Sequence, residues 1–357
     1  KKNIVFFCES VSYVPYLIEI IKRFENNKKK VQVICNSQIE QLNELKYVKN
    51  FVLRNNFFSK LALNTLKSNL LITSTPGLGT GYIKKSNNCQ HYYYIFHSLV
   101  STQLIYKESS FKFFDTIVCP CKYHKLELEK EEIENNFPKK NLFSGGYPFF
   151  DFVKQNEKFN IKKNTILIAP TWNPKYDDLY NEYYSSIVSK LINNKYEVIF
   201  KPHPEYKKRF SKNLFNFENK FISNQNFKID YSNSFDSLNE VEFLITDWSG
   251  IAFEYAYLTK RPVIFYETPR KINNLKTEKD QEKQDSSFEV KERNIFGIIL
   301  KDPSDIESAI LNIRNSKDSY VDSINKFFQE NLYNKHSSSE LIYEDIIKKN
   351  EYIINRK

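Results

Sequence analysis

Residues 241–269, VEFLITDWSGIAFEYAYLTKRPVIFYETP, combine a strand, a tight polar turn, a helix and a second strand. The two apolar runs, 243–245 and 263–266, have the length and composition of buried parallel strands. Between them, apolar side chains recur at helical spacing after the turn at 246–250. In open α/β sheets such a turn lies at the carboxyl ends of the strands, where ligands bind. The unit therefore predicts a parallel α/β sheet with a ligand site at this turn.

The turn has the sequence Thr246-Asp247-Trp248-Ser249-Gly250. The first backbone N–H groups of the following helix have no acceptor within that helix, so they form a natural anion site. Asp247 or Ser249 can instead act as a simple helix N-cap, and for an isolated turn of this composition that alternative is favoured. The other polar loops of the chain shift the balance toward a ligand site.

Strand–helix alternation continues through the whole chain of 357 residues, which is long enough for two domains with cores of their own. The predicted strands are 3–7, 31–35, 70–73, 92–96, 116–119, 165–170, 197–200, 243–245, 263–266 and 295–300. A Gly145-Gly146-Tyr147-Pro148 turn and the polar residues up to 163 are typical of a linker. We therefore predict domains at 1–155 and 156–335, and a terminal helix within 336–357 that packs back on the first domain.

This organisation predicts the α/β class with a GT-B-like architecture: two doubly wound Rossmann-type domains face each other across a cleft, and a C-terminal helix crosses back. The ligand would lie between the facing carboxyl edges of the two sheets. Residues 270–293 are highly charged and almost free of aliphatic side chains, which predicts a mobile surface loop.

The net charge of +10 is unevenly distributed, because residues 1–155 hold 22 Lys and Arg against 13 Asp and Glu. Such an excess favours an anionic membrane face, nucleic acid or a phosphate-rich polymer as partner, unless it reflects a composition bias of the source. No run approaches the roughly 20 apolar residues of a membrane span, and no signal-peptide pattern opens the chain. We expect a cytoplasmic protein, peripheral on the inner face of a bacterial plasma membrane.

The scattered cysteines are expected to be reduced, buried thiols: Cys8, Cys35, Cys89, Cys119 and Cys121.

Four polar loops should meet in the cleft, since each follows a predicted strand at the same end. They are Phe96-His97-Ser98 from the first domain, and Pro170-Thr171-Trp172-Asn173, Lys201-Pro202-His203-Pro204 and the 246–250 turn from the second. Lysine, histidine, hydroxyl groups and a helix N-terminus all bind anions, so together they would hold a diphosphate. No Asp-x-Asp pair is present to chelate Mg²⁺, and we expect no metal cofactor. His97, on the opposite wall, would accept a proton from a hydroxyl group.

These motifs, in this order, resemble the CDP-glycerol glycerophosphotransferases, the teichoic-acid primase and polymerase family. Gly146-Tyr147-Pro148-Phe149-Phe150-Asp151 resembles the family motif Gly-Tyr-Pro-x-x-Asp, and Ala169-Pro170-Thr171-Trp172 matches Ala-Pro-Thr-Trp. Lys201-Pro202-His203-Pro204 matches the family's basic-x-His-Pro. The 246–250 turn, with Glu254 and Arg261-Pro262 after it, resembles the family's Thr-Asp-Tyr-Ser-Ser, which is followed by an acidic residue and Arg-Pro. Each motif alone is weak, but the ordered set, between about 92 and 266, is specific.

The resemblance implies transfer of a glycerol-phosphate-type group from CDP-glycerol, or a related nucleotide donor, to a hydroxyl of a lipid-linked or polysaccharide acceptor such as teichoic acid or capsule. It implies that His97 is the base and that His203 contributes to catalysis by holding the donor phosphates. The predicted donor-binding set is Pro170, Thr171, Lys201, His203, Thr246, Asp247, Ser249, Gly250 and Glu254.

The chain also departs from the family pattern. The family's Trp-His-Gly-Thr-Pro is Phe96-His97-Ser98-Leu99-Val100 here, and the second serine of the phosphate loop is Gly250. The Arg-Gly-Phe-Tyr expected after the Arg-Pro strand is replaced by the charged stretch 271–291. Ser98 and the glycine loop formed by Gly77, Gly79 and Gly81 are candidates for contact with the acceptor, although a glycine loop without a Lys-Ser/Thr ending is a weak phosphate signal.

Several alternatives remain open. His203 between two prolines can simply brace its loop, His97 can be a packed histidine, and Glu254 can simply favour the helix dipole. Local packing is the favoured role for Trp172 and Trp248, and a surface or structural role is favoured for His91, His124 and His336.

A glycosyltransferase of the same architecture would use the same diphosphate site with a nucleotide-sugar donor. A nucleic-acid-binding protein is disfavoured, because no recognition motif or basic–aromatic RNA signature is present.

Overall fold

The computed structural model describes residues 3–54, 56–80, 83–156, 160–232, 235–335 and 337–356. Two residues named above, Gly81 and His336, lie outside these ranges. No helix within the ranges is both long enough and apolar enough to cross a membrane. All five cysteines are free and buried, as predicted.

The first half forms a sheet of seven parallel strands in the order β3-β2-β1-β4-β5-β6-β7. Its strands are β1 (Asn3–Cys8), β2 (Val31–Cys35), β3 (Val48–Val52), β4 (Ser68–Thr73), β5 (Cys89–Ile95), β6 (Thr116–Val118) and β7 (Asn141–Phe143), and its helices are α1 (Val14–Asn26), α2 (Asn56–Asn64), α3 (Thr102–Ile105), α4 (Lys122–Glu134) and α5 (Pro148–Asn156). Helices cover both faces, so the central strands are buried on both. Three consecutive tyrosines of β5, Tyr92, Tyr93 and Tyr94, are accordingly all buried.

The second half forms a sheet of six parallel strands in the order β10-β9-β8-β11-β12-β13. Its strands are β8 (Lys162–Ile168), β9 (Glu197–Phe200), β10 (Phe227–Ile229), β11 (Val241–Thr246), β12 (Val263–Tyr266) and β13 (Gly297–Leu300). Its helices are α6 (Ser185–Asn193), α7 (Pro204–Arg209), α8 (Ser211–Phe221), α9 (Asp236–Glu240), α10 (Ile251–Thr259), α11 (Leu275–Glu278), α12 (Gln281–Asp285), α13 (Phe288–Lys291), α14 (Arg293–Phe296), α15 (Ile306–Asn315) and α16 (Lys317–Asn331).

Both sheets have the strand order of a Rossmann domain, in which the winding direction reverses between the first and fourth strands. The reversal lies between β1 and β4 in the first sheet and between β8 and β11 in the second. Loops leave the two strands on opposite faces at such a point, so a crevice opens at their carboxyl ends. The predicted fold class, two doubly wound Rossmann-type domains, is confirmed.

The last helix, α17 (Ser338–Asn355), returns to the first sheet, as predicted. It packs against α1, α5 and β4, with the Tyr343 ring centre 4.8 Å from that of Phe24. Its Asp345 carboxylate accepts a hydrogen bond of 2.9 Å from the Tyr93 hydroxyl. The preceding α16 packs against α10 and α14 of the second half. The predicted domain boundaries, after 155 and after 335, stay predictions.

The predicted linker up to residue 163 is wrong in extent, because α5 occupies most of it and β8 begins at Lys162. Pro148 opens α5, and its apolar side chains are buried against α1 and the second half. Phe150 stacks on Tyr257, with ring centres 3.8 Å apart. The aromatic content of this segment outweighs the turn and linker signals around it.

The prediction of a mobile surface loop at 270–293 is also wrong. The segment contains α11, α12 and α13, and the side chains of Asn274 and Asp280 cap the first two by accepting backbone hydrogen bonds. Phe288 is buried and stacks on Tyr123 of the first half, with ring centres 4.0 Å apart. The backbone N–H of Asn273 donates to the Leu104 carbonyl over 2.8 Å. A few buried contacts therefore order a segment whose composition alone indicates disorder.

Candidate active site

The turn after β11 lies at the crevice of the second sheet. The Asp247 carboxylate accepts from the backbone N–H groups of Thr171 (2.8 Å) and Trp248 (2.7 Å), and from the Thr268 hydroxyl (3.1 Å). The Thr246 hydroxyl is buried and donates to the Ala169 carbonyl over 2.6 Å. These side chains therefore join the ends of β8 and β11, and contact of Thr246 and Asp247 with the donor stays a prediction.

Arg293 is buried against the same turn. Its guanidinium carbon lies 3.4 Å from the ring centre of Trp248, and Nη2 donates to the Asp247 carbonyl over 2.9 Å. Burial lowers the pKa of Arg293 to about 10, so it stays charged at neutral pH. Trp248 packs locally, as expected from the sequence.

The part of the turn that remains open to the crevice is Ser249 and the start of α10. Ser249 is partly exposed, and its hydroxyl makes no hydrogen bond with any described residue. The N–H groups of Ala252 and Phe253 bond back to the carbonyls of Ser249 (3.3 Å) and Gly250 (3.1 Å). Within the described ranges, the N–H groups of residues 249–251 have no such acceptor, so they are free to bind an anion.

Lys201, which the sequence predicts as a phosphate ligand, has partners within the protein. Its Nζ atom donates to the Asp230 carboxylate (2.7 Å), the Ser232 carbonyl (2.9 Å) and the Ser232 hydroxyl (3.3 Å). All three protons of the ammonium group are thereby used. Lys201 thus joins the ends of β9 and β10, and its role as a donor ligand stays a prediction.

His203 follows β9 and caps α7. Its backbone N–H donates to the Tyr180 hydroxyl (3.0 Å), and its Nδ1 atom accepts from the Glu205 backbone N–H (3.1 Å). Because Nδ1 is the acceptor, the ring proton is on Nε2, which is therefore a donor. Burial holds the pKa of His203 well below its usual value, and the charge of Lys271 lowers it further, so the ring stays neutral.

Lys271 is the cation of this crevice. It is buried, with Nζ 3.4 Å from the Thr171 hydroxyl and 4.9 Å from the ring centre of Trp172. Burial lowers its pKa to about 8, while the charges of Asp247 and Glu205 act in the opposite direction. Lys271 is not among the residues predicted from the sequence, because it lies in the charged stretch 270–293. The signal was its position just after β12, at the same sheet edge as the predicted loops.

His97 lies on the opposite wall, after β5. Its Nδ1 atom is 2.9 Å from the Ser74 carbonyl oxygen, which can only accept, so Nδ1 carries the proton and Nε2 a lone pair. The Tyr13 ring packs edge-on, with ring centres 4.7 Å apart. Burial lowers the pKa of His97 to about 4, the hydrogen bond that His97 donates to the Ser74 carbonyl opposes this shift, and the charge of Lys271 lowers the pKa further. The Trp172 ring lies beside both Lys271 and His203, with its centre 4.9 Å from Lys271 Nζ and 6.3 Å from the His203 ring centre, and Lys271 is close enough to His97 for its charge to lower that pKa.

The two walls meet where Gly250 faces Ser98. A Cβ atom added to Gly250 would lie 2.1 Å from the Ser98 hydroxyl oxygen and 3.2 Å from a Val100 methyl carbon. The structure therefore brings together the loops that carry His97 and Ser249, as the sequence analysis expected. Ser98 contacts the opposite turn, and its contact with an acceptor stays a prediction.

Glu254 lies away from the crevice opening. Its side chain is buried and accepts from the Tyr147 hydroxyl over 2.5 Å. Burial raises the pKa of Glu254 to about 8, so the carboxyl group is mostly protonated at neutral pH. Glu254 thus joins α10 to the first domain, and its contact with the donor stays a prediction.

The glycine loop after β4 is shaped by packing. The N–H of Gly77 donates to the Ser110 carbonyl (2.9 Å), and that of Gly79 to the Ile83 carbonyl (2.6 Å). Gly79 has φ of +75°, and a Cβ atom there would lie 2.6 Å from the Phe113 ring. With both N–H groups used, Gly77 and Gly79 offer no backbone anion site, and their contact with the acceptor stays a prediction.

Comparisons with known proteins give the family of the chain. Residues 124–348, more than half of the chain, match the family described as CDP-glycerol:poly(glycerophosphate) glycerophosphotransferase. The chain belongs to this family. His203, Ser249 and Lys271 lie within the matched segment, and His97 lies before it.

A curated relative is the minor teichoic acid biosynthesis protein GgaB of Bacillus subtilis (strain 168), 26% identical over 244 residues. The match covers 59% of this chain and 24% of GgaB, so the chain spans about a quarter of that relative's length. Among solved structures, the wall teichoic acid polymerase TagF, in a histidine-to-asparagine form soaked with CDPG, has a TM-score of 0.63 at 17% identity, covering 99% of this chain and 89% of that one.

A UDP-GlcNAc 2-epimerase of Methanocaldococcus jannaschii, in complex with UDP-GlcNAc and UDP, has the same fold, with a TM-score of 0.58 at 15% identity. The alignment covers 97% of this chain and 99% of the epimerase. At such identities the structural likenesses support the two-domain architecture and nothing finer. The assignment to the glycerophosphotransferase family depends on the sequence match.

The departure of this chain from the family at Gly250 has a steric reason in the contact with Ser98. Gly250→Ser is expected to lower the free energy of unfolding by about 1 to 2 kcal/mol, because the new side chain crowds the opposite wall. Urea unfolding measures this loss. The double variant with Ser98→Ala should recover most of it, since the nearest atom is removed. Equal stability of Gly250→Ser and the unsubstituted protein would contradict the contact.

Proposed function

We propose that this protein transfers a glycerol-phosphate-type group from a CDP-activated donor to a hydroxyl of a cell-surface polymer such as teichoic acid or capsule. The observation that carries the proposal is the pair of neutral histidines, fixed in opposite tautomers, on the two walls of one crevice. His203 offers an N–H donor and His97 a lone pair, with a buried lysine near both. Family membership supports the choice of donor.

The donor's two phosphates would be held by groups of the second domain alone. Lys271 supplies a full positive charge, the Nε2–H of His203 a hydrogen bond, and Ser249 with the N-terminus of α10 a further set of donors. Thr171 lies beside Lys271, and Pro170 precedes it in the same loop. The positive field required for transfer would thus come from side chains and backbone, without a metal ion.

His97 would act as the general base. Its Nε2 atom accepts the proton of the acceptor hydroxyl while that oxygen forms a bond to the donor's β-phosphorus. The bond from this phosphorus to the bridging oxygen breaks, and CMP leaves with the electron pair. Lys271 and His203 stabilise the charge that develops on the leaving phosphate. Binding of the anionic donor also raises the pKa of His97 toward a value more useful for catalysis.

The decisive experiment incubates the protein with CDP-glycerol and a glycerol-phosphate oligomer that ends in a free hydroxyl. Formation of a new phosphodiester together with CMP, followed by ³¹P NMR, is the expected result. A parallel incubation with UDP- and CDP-linked sugars tests the glycosyltransferase alternative. Formation of a glycosidic bond there, with no CMP from CDP-glycerol, would overturn the proposal.

His203→Ala is expected to weaken donor binding by more than about 1.5 kcal/mol, the scale of a hydrogen bond to a charged group. Isothermal titration with CDP-glycerol measures the change. His124→Ala is the matched control for loss of an imidazole, because His124 is buried in the first half beside Phe96 and Tyr123. Unchanged donor affinity in His203→Ala would refute its role.

We also propose that the first half rests on the inner face of the plasma membrane. Besides its positive charge, it presents three large apolar side chains on α2: Phe57, Phe58 and Leu61 are 68%, 55% and 52% exposed. Phe57→Ser with Phe58→Ser should reduce co-sedimentation with anionic lipid vesicles at least several-fold. The control is Phe215→Ser, a phenylalanine of the second half that is 60% exposed. Equal vesicle binding by both variants would exclude α2 as the contact.

A further inference from the structure

The first sheet has a crevice of its own, where its strand order reverses between β1 and β4. Glu9 follows β1, and Ser74 and Thr75 follow β4. The Thr75 hydroxyl donates to a Glu9 carboxylate oxygen over 3.1 Å. Thr75 is itself buried, and its backbone N–H donates to the Thr73 hydroxyl over 3.0 Å. The Glu9 carboxylate is thus fixed at the position where open α/β sheets bind ligands.

This carboxylate adjoins the proposed base. The carbonyl of Ser74, the neighbour of Thr75, accepts the hydrogen bond from His97 Nδ1. Tyr13, whose ring packs on His97, is close enough to Glu9 that the Glu9 charge, after burial, raises the pKa of Tyr13. The Ser74 hydroxyl is buried and makes no hydrogen bond with a described residue. Tyr13 therefore lies next to both Glu9 and His97.

The groups that face Glu9 come from both domains. Burial raises the pKa of Glu9, the hydrogen bond from Thr75 opposes that rise, and the charges of Lys208, Glu205 and Lys60 act over longer distances. Lys208 and Glu205 belong to α7, which His203 caps, so Glu9 faces the donor side across the cleft. Among the described residues, the second oxygen of the Glu9 carboxylate has no hydrogen-bond partner.

We propose that Glu9, held by Thr75, is the acceptor subsite and that it recognises hydroxyl groups of a sugar or polyol terminus. This inference rests on the proposed transfer reaction. A carboxylate accepts hydrogen bonds from hydroxyls and repels a phosphate, so the bound end of the acceptor is hydroxyl-terminated and its phosphates lie farther out. With one hydroxyl bonded to Glu9, a neighbouring hydroxyl of the same unit is turned toward His97 Nε2.

The test compares two probes, a glycerol-phosphate trimer with a free terminal hydroxyl and the same trimer with a phosphorylated terminus. Isothermal titration should show at least tenfold tighter binding of the hydroxyl-terminated probe by the unsubstituted protein. Glu9→Ala should remove this preference and raise the acceptor KM by tenfold or more, with a smaller effect on kcat. Glu9→Gln, which keeps the shape and one oxygen acceptor, should retain part of the affinity.

CDP-glycerol affinity should stay within twofold in both variants, and Glu44→Gln, at an exposed position of the same domain, should change nothing. Equal binding of the two probes, or an unchanged acceptor KM in Glu9→Ala, would overturn the subsite. An equal loss of donor and acceptor affinity would also overturn it, as a general structural effect. Probe binding is measured without turnover, so failure of the transfer reaction itself would be seen separately, as absence of CMP release by the unsubstituted protein.

Discussion

Replacement of His97 by alanine should lower the rate of transfer by about 100-fold or more, while donor affinity stays nearly unchanged. The reason is the position of the imidazole on the wall opposite the donor-binding groups, with Nε2 as the free acceptor. Single-turnover measurement of CMP release, together with titration of CDP-glycerol, separates the two effects.

The control for His97 is His91→Ala, in the same strand. His91 lies near the start of β5, with Nε2 2.9 Å from the Thr116 hydroxyl oxygen, so it is far from the carboxyl edge. This variant should keep most of the transfer rate. The pH profile gives a second check, because a base must be unprotonated. With a pKa of about 4 in the free protein, His97 should cause kcat/KM to fall only in strongly acidic solution. A rate that survives His97→Ala would assign the base to another residue.

Replacement of Lys271 by methionine should weaken CDP-glycerol binding by about 3 kcal/mol, or roughly 100-fold in Kd. Methionine keeps much of the buried volume and removes the charge. Because the pKa of Lys271 is about 8, the cation is lost as the pH rises through that value. Donor affinity of the unsubstituted protein should therefore decline above pH 8, and that decline should be absent in Lys271→Met.

Lys201→Met is the matched control, since it removes a lysine from the same edge of the same sheet. Its ion pair with Asp230 and its bonds to Ser232 use all its donors within the protein, so donor affinity should change little. Stability should fall instead, because Asp230 loses its partner. The opposite result, with loss of binding in Lys201→Met and none in Lys271→Met, would restore the assignment made from the sequence motif.

Three residues that the motifs predict as donor ligands form hydrogen bonds with distant residues of the chain. Lys201 bonds to a residue 29 positions away, Thr246 to one 77 positions away and Glu254 to one 107 positions away. In each case a motif places the residue correctly at a strand end or helix start. The motif does not contain the partner that uses the side chain. A lysine, histidine or hydroxyl side chain therefore indicates a phosphate-binding site only when its hydrogen-bond donors are not already used by other residues of the protein.

The sequence by itself determined the two parallel sheets, the turns at their carboxyl ends and the positions of His97, His203 and Ser249. These depend on local periodicity and on groups that directly follow buried strands, which can be recognised within a few residues. The tertiary structure alone decided which polar groups are free, which tautomer each histidine adopts, and that Lys271 is a buried cation. The physical reason is that hydrogen-bond partners and burial depend on side chains brought together from distant positions, and burial in turn sets the charge of each group.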